Sequence, residues 1–167
     1  MITTKYDSLI LKATALYLPE YDWRLFKAQL AAESGKELDA NAVSPVGAEG
    51  IAQFMLPTWG DWAHKAGFKG FSRTDPRASI FTGAMYMQWL CGQWSSPREQ
   101  IDRYLLAAAS YNSGLGDILT AQKFARGVYP FAQIMHSLPD ADPRGAEETA
   151  NYCERILRYY SELITDV

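Results

Sequence analysis

The stretch Ala31–Phe54, AAESGKELDANAVSPVGAEGIAQF, begins as a helix, breaks at a glycine and continues through small residues into a second apolar segment. A carboxylate, Glu33, stands two residues before Gly35, where the helix must end. Leu30 and Phe26 lie three and seven residues earlier, so Glu33 continues the apolar stripe of its helix. It also falls in the last turn, where exposed carbonyls carry partial negative charge. Desolvation and the dipole both disfavour the ionised form and are expected to raise the pKa above the ordinary glutamate value of about 4.3. A carboxyl still protonated at about pH 6–7 is what general acid catalysis requires. The competing reading is an exposed glutamate at a frayed helix end, paired with Lys36 or Arg24.

The helical pattern extends in both directions from this stretch. Leu9, Ile10, Ala13, Leu16 and Tyr17 recur at helical spacing within residues 3–18, and Pro19 ends the run. Asp22 is a candidate N-cap for the helix that Gly35 closes. Thr58 is expected to cap a short helix holding Trp59 and Trp62. Asp75-Pro76 opens a long helix through Ile80, Ala84, Met87 and Cys91. Ser96-Pro97-Arg98-Glu99 reads as a capping box for a helix ending near Asn112-Ser113-Gly114. Shorter helices are expected at 116–126 and 130–138, and a last one from about residue 146 carries Tyr152, Ile156, Tyr159 and Leu163 on one stripe. No segment alternates convincingly as a strand, with a small hairpin within 36–46 or 64–74 left open. The expectation is an all-α single domain, residues 1–167, of about eight or nine helices.

Composition narrows the function classes. The net charge is −3, from 16 basic and 19 acidic residues, and no basic block exists, so nucleic acid is not expected as a partner. Lys5, Asp7 and Lys12 interrupt the apolar run near the start, which argues against a secretory signal and a membrane span. Cys91 and Cys153 fit no metal or redox spacing and read as buried free thiols. His64 and His136 stand alone, so neither a metal nor another cofactor is expected. Arg73, Arg77 and Arg98 are expected to cover solvated faces, and Glu49, between glycine and alanine in a turn, to be solvated.

Three further elements carry chemistry. Ser44-Pro45-Val46-Gly47-Ala48-Glu49-Gly50 is turn-rich, and its glycines allow close backbone approach to a ligand. Ile51-Ala52-Gln53-Phe54-Met55 offers one amide among apolar side chains. Ala109-Ser110-Tyr111-Asn112-Ser113-Gly114 places a phenol and an amide at another helix end. Amides, phenols and aromatic faces bind sugar hydroxyls and N-acetyl groups.

Taken in order, Glu33-Ser34, Asn41–Ala48, Gly50–Met55, Thr58-Trp59, Ala109–Gly114 and Glu148-Thr149 with Tyr152 resemble the lytic transglycosylases of the soluble-lytic-transglycosylase (SLT) type, within the lysozyme-like superfamily. The chain departs from the pattern in four places, one being Pro57, which sits one place later than the common methionine-proline order. Gly35-Lys36-Glu37 lengthens the segment after Glu33, Ala52 stands where methionine is usual, and Ser113 stands where alanine is usual.

The resemblance implies a lysozyme-like domain with a substrate groove. It implies that Glu33 is the sole catalytic acid and base, that Ser44, Gln53 and Met55 contact substrate, and that Tyr111 and Asn112 flank the acid. Glu148 and Tyr152 complete the carried-over set of substrate-binding residues. The implied substrate is the peptidoglycan glycan strand, cut at the β-1,4 bond between N-acetylmuramic acid and N-acetylglucosamine with formation of 1,6-anhydromuramic acid. A monomeric enzyme is expected, acting in the periplasm or cell wall and delivered as a bacteriophage lysis or virion-associated enzyme or by a bacterial secretion system. Three alternatives stay open at this point: a muramidase that hydrolyses the same bond, a non-catalytic wall-binding or virion module, and an all-α regulatory or adaptor domain, which has only the helical pattern in its favour.

Overall fold

The structure, a computed structural model, describes residues 1–165. Among them the chain forms nine α-helices and no β-strand: α1 (Asp7–Tyr17), α2 (Trp23–Ser34), α3 (Leu56–Trp62), α4 (Pro76–Gln93), α5 (Gln100–Ser113), α6 (Leu115–Phe124), α7 (Phe131–His136), α8 (Leu138–Ala141) and α9 (Ala146–Thr165). The all-α reading therefore holds. Where a hairpin was left open, the described residues show only two isolated bridges, Val43 with Glu49 and Glu49 with Phe54.

Several helix ends follow the sequence signals. The Asp22 side chain accepts the Arg24 amide at 2.9 Å and caps α2. Gly35, at φ +86°, donates its own amide to the Ala31 carbonyl and stops that helix. Asp75 Oδ1 accepts the Ala78 amide at 2.8 Å, ahead of Pro76.

Two expected caps do not form. Helix α3 starts at Leu56, without a side-chain cap, and Thr58 lies inside it. Pro57 fits the first turn because its missing N–H has no intrahelical partner to lose, so the helix begins earlier than Thr58 suggested. Helix α5 starts at Gln100, again without a side-chain cap, so Ser96–Glu99 is not a capping box. The Arg103 guanidinium instead reaches back to the carbonyls of Trp94, at 3.0 Å, and Ser96, at 3.5 Å, and holds that turn in an irregular shape.

The chain divides into two compact units, Met1–Tyr86 together with the chain from Ile156, and Met87–Arg155. In the first unit α1 packs on α2. Seven successive residues of α2, Leu25 to Ala31, are buried, so this helix is a core element on every side rather than a surface helix with one apolar stripe. Lys27 is among them at 2% exposure, and burial of its ammonium is offset by Asp7 Oδ1 at 2.6 Å. The end of α9 holds both ends of α2. Tyr160 donates its hydroxyl to Asp22 at 3.2 Å, and Lys36, just past the helix, pairs with Glu162 at 2.6 Å.

In the second unit Tyr104–Ser110 of α5 are all buried, and α6 packs against α5 and α8. Trp94 Nε1 donates to Ser110 Oγ at 3.2 Å, and the Ser110 hydroxyl in turn donates a hydrogen bond to the Leu106 carbonyl at 2.7 Å. Cys91 and Cys153 are buried free thiols, as expected. Burial, helped by nearby Glu154, pushes the Cys153 thiol up to about 12. Arg98 differs from its expected solvated role. Its guanidinium lies 5.3 Å from the Trp94 ring, two of its nitrogens are buried, and desolvation lowers its pKa, with Arg103 adding to the effect. Among the described residues no helix is long and apolar enough to cross a membrane.

Candidate active site

Glu33 is the penultimate residue of α2 and is partly buried. The backbone that carries it is fixed from several directions. Ser34 Oγ donates to the Leu30 carbonyl at 3.1 Å. Gly35 adopts a left-handed conformation that ends the helix without a Cβ penalty. The two cations considered as partners of Glu33 each hold another acid: Arg24 grips Asp22 through Nε and Nη2, and Lys36 pairs with Glu162 while lying 5.0 Å from the Tyr159 ring. The helix that presents Glu33 is thus pinned at its cap, at its buried lysine and just past its end.

Ser44, Gln53 and Met55 share one loop, residues 42–55, which has almost no regular structure and is held by specific polar contacts. The Ser44 amide donates to the Ala48 carbonyl, and Ser44 Oγ accepts the Ala48 amide at 3.0 Å, which closes a tight turn. Gln53 sits at φ +47°, unusual for a residue with a side chain. Its Nε2 donates to the carbonyls of Ala42, at 3.1 Å, and Gly50, at 2.9 Å. The nitrogen end of this amide therefore braces the loop. Met55 is exposed, as are Val43 and Val46, the last at 76%. Three apolar side chains thus stand outward on a loop whose polar groups face inward.

Sequence reasoning missed the residue at the centre of these contacts. Arg73 is only 12% exposed. Its Nη1 donates to the carbonyls of Gly47 and Phe54, both at 2.9 Å, and its Nη2 pairs with Glu49 Oε1 at 2.8 Å. This corrects two expectations, because neither Arg73 nor Glu49 is simply a solvated charge. The physical reason is that the loop folds with its carbonyls converging, and a guanidinium, with five donors in a fixed fork, satisfies several acceptors at once. Nothing in the linear spacing between residues 47 and 73 announces this.

The remaining candidates lie in the second unit. Tyr111 and Asn112 close α5, Tyr111 partly buried and Asn112 exposed. Thr149 Oγ1, on the first turn of α9, donates to Asn112 Oδ1 at 2.8 Å and so fixes which end of that amide accepts. Thr149 is 1% exposed. It adjoins Glu148, which is itself exposed. Tyr152, three residues on, is 1% exposed and belongs to the packed interior. The structure therefore groups Asn112 with Thr149 in this unit, and Ser44, Gln53 and Met55 with Arg73 and Glu49 in the other.

Comparison with known proteins places this arrangement. A family model, the transglycosylase SLT domain, matches residues 11–129. That span includes Glu33, Ser44, Gln53, Met55, Tyr111 and Asn112, while Glu148 and Tyr152 lie beyond it. Among curated relatives, membrane-bound lytic murein transglycosylase F of Photobacterium profundum is 30% identical over 96% of this chain and 32% of its own length. The protein of the same name from Shewanella halifaxensis is 32% identical over 96% of this chain and 34% of its own length. The chain thus spans about a third of the curated relatives it matches.

Among solved structures, the 70 kDa soluble lytic transglycosylase of Escherichia coli superimposes with a TM-score of 0.74 at 24% identity, covering 95% of this chain and 24% of that one. An inactive glutamate-to-glutamine mutant of the lytic transglycosylase Slt from Pseudomonas aeruginosa gives 0.76 at 22% identity, covering 98% of this chain and 25% of that one. These two structures share the fold, and the family model covers most of the sequence: the chain belongs to the transglycosylase SLT domain family.

Proposed function

We propose that this chain is a peptidoglycan lytic transglycosylase in which Glu33 is the single catalytic acid and base. The observation that carries the reading is the placement of Glu33, a partly buried carboxyl in the last turn of a helix locked at both ends, within a chain of the SLT family. Protonated Glu33 donates to the glycosidic oxygen as N-acetylglucosamine leaves. Positive charge develops at the anomeric carbon of N-acetylmuramic acid, and the sugar's own N-acetyl oxygen stabilises it. The Glu33 carboxylate then takes the proton of the muramic C6 hydroxyl while that oxygen bonds to the anomeric carbon. The 1,6-anhydro ring closes and Glu33 is protonated again.

An intramolecular hydroxyl has a high effective concentration, so no water has to be positioned. Glycosidases that use water generally employ a second carboxyl. The acids nearest Glu33 in sequence do not favour that route. Glu49 is bound to Arg73, Asp39 accepts the Asn41 amide at 2.9 Å, and Glu37 and Asp61 are exposed. In this reading Ser44, Gln53, Met55, Tyr111, Asn112 and Glu148 contact the glycan, and Tyr152 supports its own unit from the interior. A monomer suffices, and the enzyme acts on the cell wall, with delivery by a bacteriophage lysis or virion-associated route or by a bacterial secretion system as the finer assignment.

Digestion of purified peptidoglycan followed by mass spectrometry tests the reaction type. Products one water lighter than reducing-end muropeptides are expected. Reducing ends alone would assign hydrolysis, and no cleavage would leave a wall-binding module.

A further inference from the structure

We infer that Arg73 is a positioning residue for this reaction, holding the loop Ser44–Met55 in the shape that meets the glycan. The inference rests on the proposed function for its substrate and on the geometry of the first unit for its mechanism.

The loop's own contacts are short-range, chiefly the Ser44–Ala48 turn and the Gln53 brace to Ala42 and Gly50. Its regular structure amounts to two isolated bridges, and its outward side chains Val43, Val46 and Met55 gain little from burial. One guanidinium adds three further contacts from outside the loop. The two carbonyls that Arg73 Nη1 joins, Gly47 and Phe54, are seven residues apart in the chain, and Glu49 lies between them in sequence, bound to Nη2. The Phe54 carbonyl is shared, since it also accepts the Glu49 amide at 3.1 Å. Arg73 therefore joins the tip of the loop, its midpoint and its exit.

The backbone of Arg73 contributes as well. Gly50 is at φ +82°, and a Cβ placed there would lie 2.0 Å from the Arg73 carbonyl oxygen. Loop and arginine are in contact through main chain on one side and side chain on the other. The anchoring core beneath, Ile51, Phe54 and Trp59, is buried independently of these polar contacts. Loss of the clamp is thus expected to release Ser44–Gly47 and Met55 without unfolding the unit. Lysine keeps the charge that Glu49 sees but offers no planar fork, so it restores the pairing and not the three-point grip.

Two measurements on the intact chain test this. Hydrogen exchange, which needs no substrate, compares the wild type with Arg73→Met and Arg73→Lys. Faster exchange confined to residues 44–55 is expected in Arg73→Met, with Arg73→Lys intermediate. Steady-state kinetics on soluble glycan strands then separates KM from kcat. Arg73→Met is expected to raise KM about tenfold with kcat within about threefold, since lost positioning of binding groups acts on ground and transition states alike. Arg73→Lys recovers part of the KM.

Unchanged exchange in the loop overturns the clamp. Changed exchange with unchanged KM overturns its part in substrate positioning. If Arg73→Met does not fold, the Arg73→Lys comparison decides both points. A wild type that leaves the strands uncut fails the functional reading itself, while the exchange result still reports on the clamp.

Discussion

Lys27 Nζ lies 2.6 Å from Asp7 Oδ1, at 2% exposure for the lysine, on the helix that ends with Glu33. A buried ammonium on the helix that carries Glu33 makes α1 an obligatory partner of α2. Removal of one member of such a pair leaves an uncompensated charge, whereas removal of both need not destabilise. Asp7→Ala is therefore expected to lower the unfolding free energy by about 3 kcal/mol, the lower end of that range because Asp7 reaches solvent. Asp7→Ala combined with Lys27→Met is expected to recover most of the loss. Urea denaturation of the two variants measures the difference, and equal losses in both would show that the ion pair is not what fixes α2.

The hydrogen bond from Thr149 to Asn112 gives a prediction about activity rather than stability. Thr149→Val keeps the shape of a buried side chain and removes the only hydroxyl that addresses Asn112 Oδ1 in the described contacts. One net hydrogen bond is worth about 1 kcal/mol, so kcat/KM is expected to fall roughly fivefold. Thr149→Ser retains the donor and is expected to keep wild-type activity. A Thr149→Ser enzyme as impaired as Thr149→Val would mean that methyl packing, not the hydroxyl, is what matters.

Acid stability depends on the cap of α2. The Arg24 guanidinium, by its hydrogen bonds first, holds Asp22 below its ordinary value near 3.8 against the opposing effect of burial, and Tyr160 adds a weaker hydroxyl bond. A carboxyl whose folded pKa is depressed contributes stability that is fully present above its unfolded pKa and is lost as pH falls through the folded one. Unfolding free energy is thus expected to drop more steeply below about pH 4 in the wild type than in Asp22→Asn, which preserves an N-cap but not the charge. A denaturation series from neutral to acid pH reads this directly, and parallel curves would remove Asp22 from the explanation.

What the sequence disclosed was whatever chain neighbours decide among themselves. Asp22, Gly35 and Asp75-Pro76 act within a turn of their own position, and each caps or stops a helix as read. The all-α class and the helix from Ala146 followed from periodicity alone. Glu33 was located to the last turn of α2 because a glycine two residues later has only one common use there. The failures share a different cause. Ser96–Glu99 lost its expected cap to Arg103, and Glu49 gained Arg73, a partner 24 positions away. Lys27, which no sequence signal singled out, is buried against Asp7. Long-range pairing of charges leaves no periodic trace, so the residues that brace the candidate site were less legible than the residues placed in it.

In the proposed reaction one carboxyl carries the proton in both directions. The most direct measurement is the rate of anhydro-product formation from purified peptidoglycan by wild type and by Glu33→Gln, with thermal unfolding recorded for both. An amide keeps the side chain's size but can neither donate an acidic proton nor accept one back. The expected result is a loss of at least about a thousandfold in rate with an unfolding temperature within a few degrees of wild type. A folded Glu33→Gln protein that still releases anhydro products at a comparable rate would contradict it.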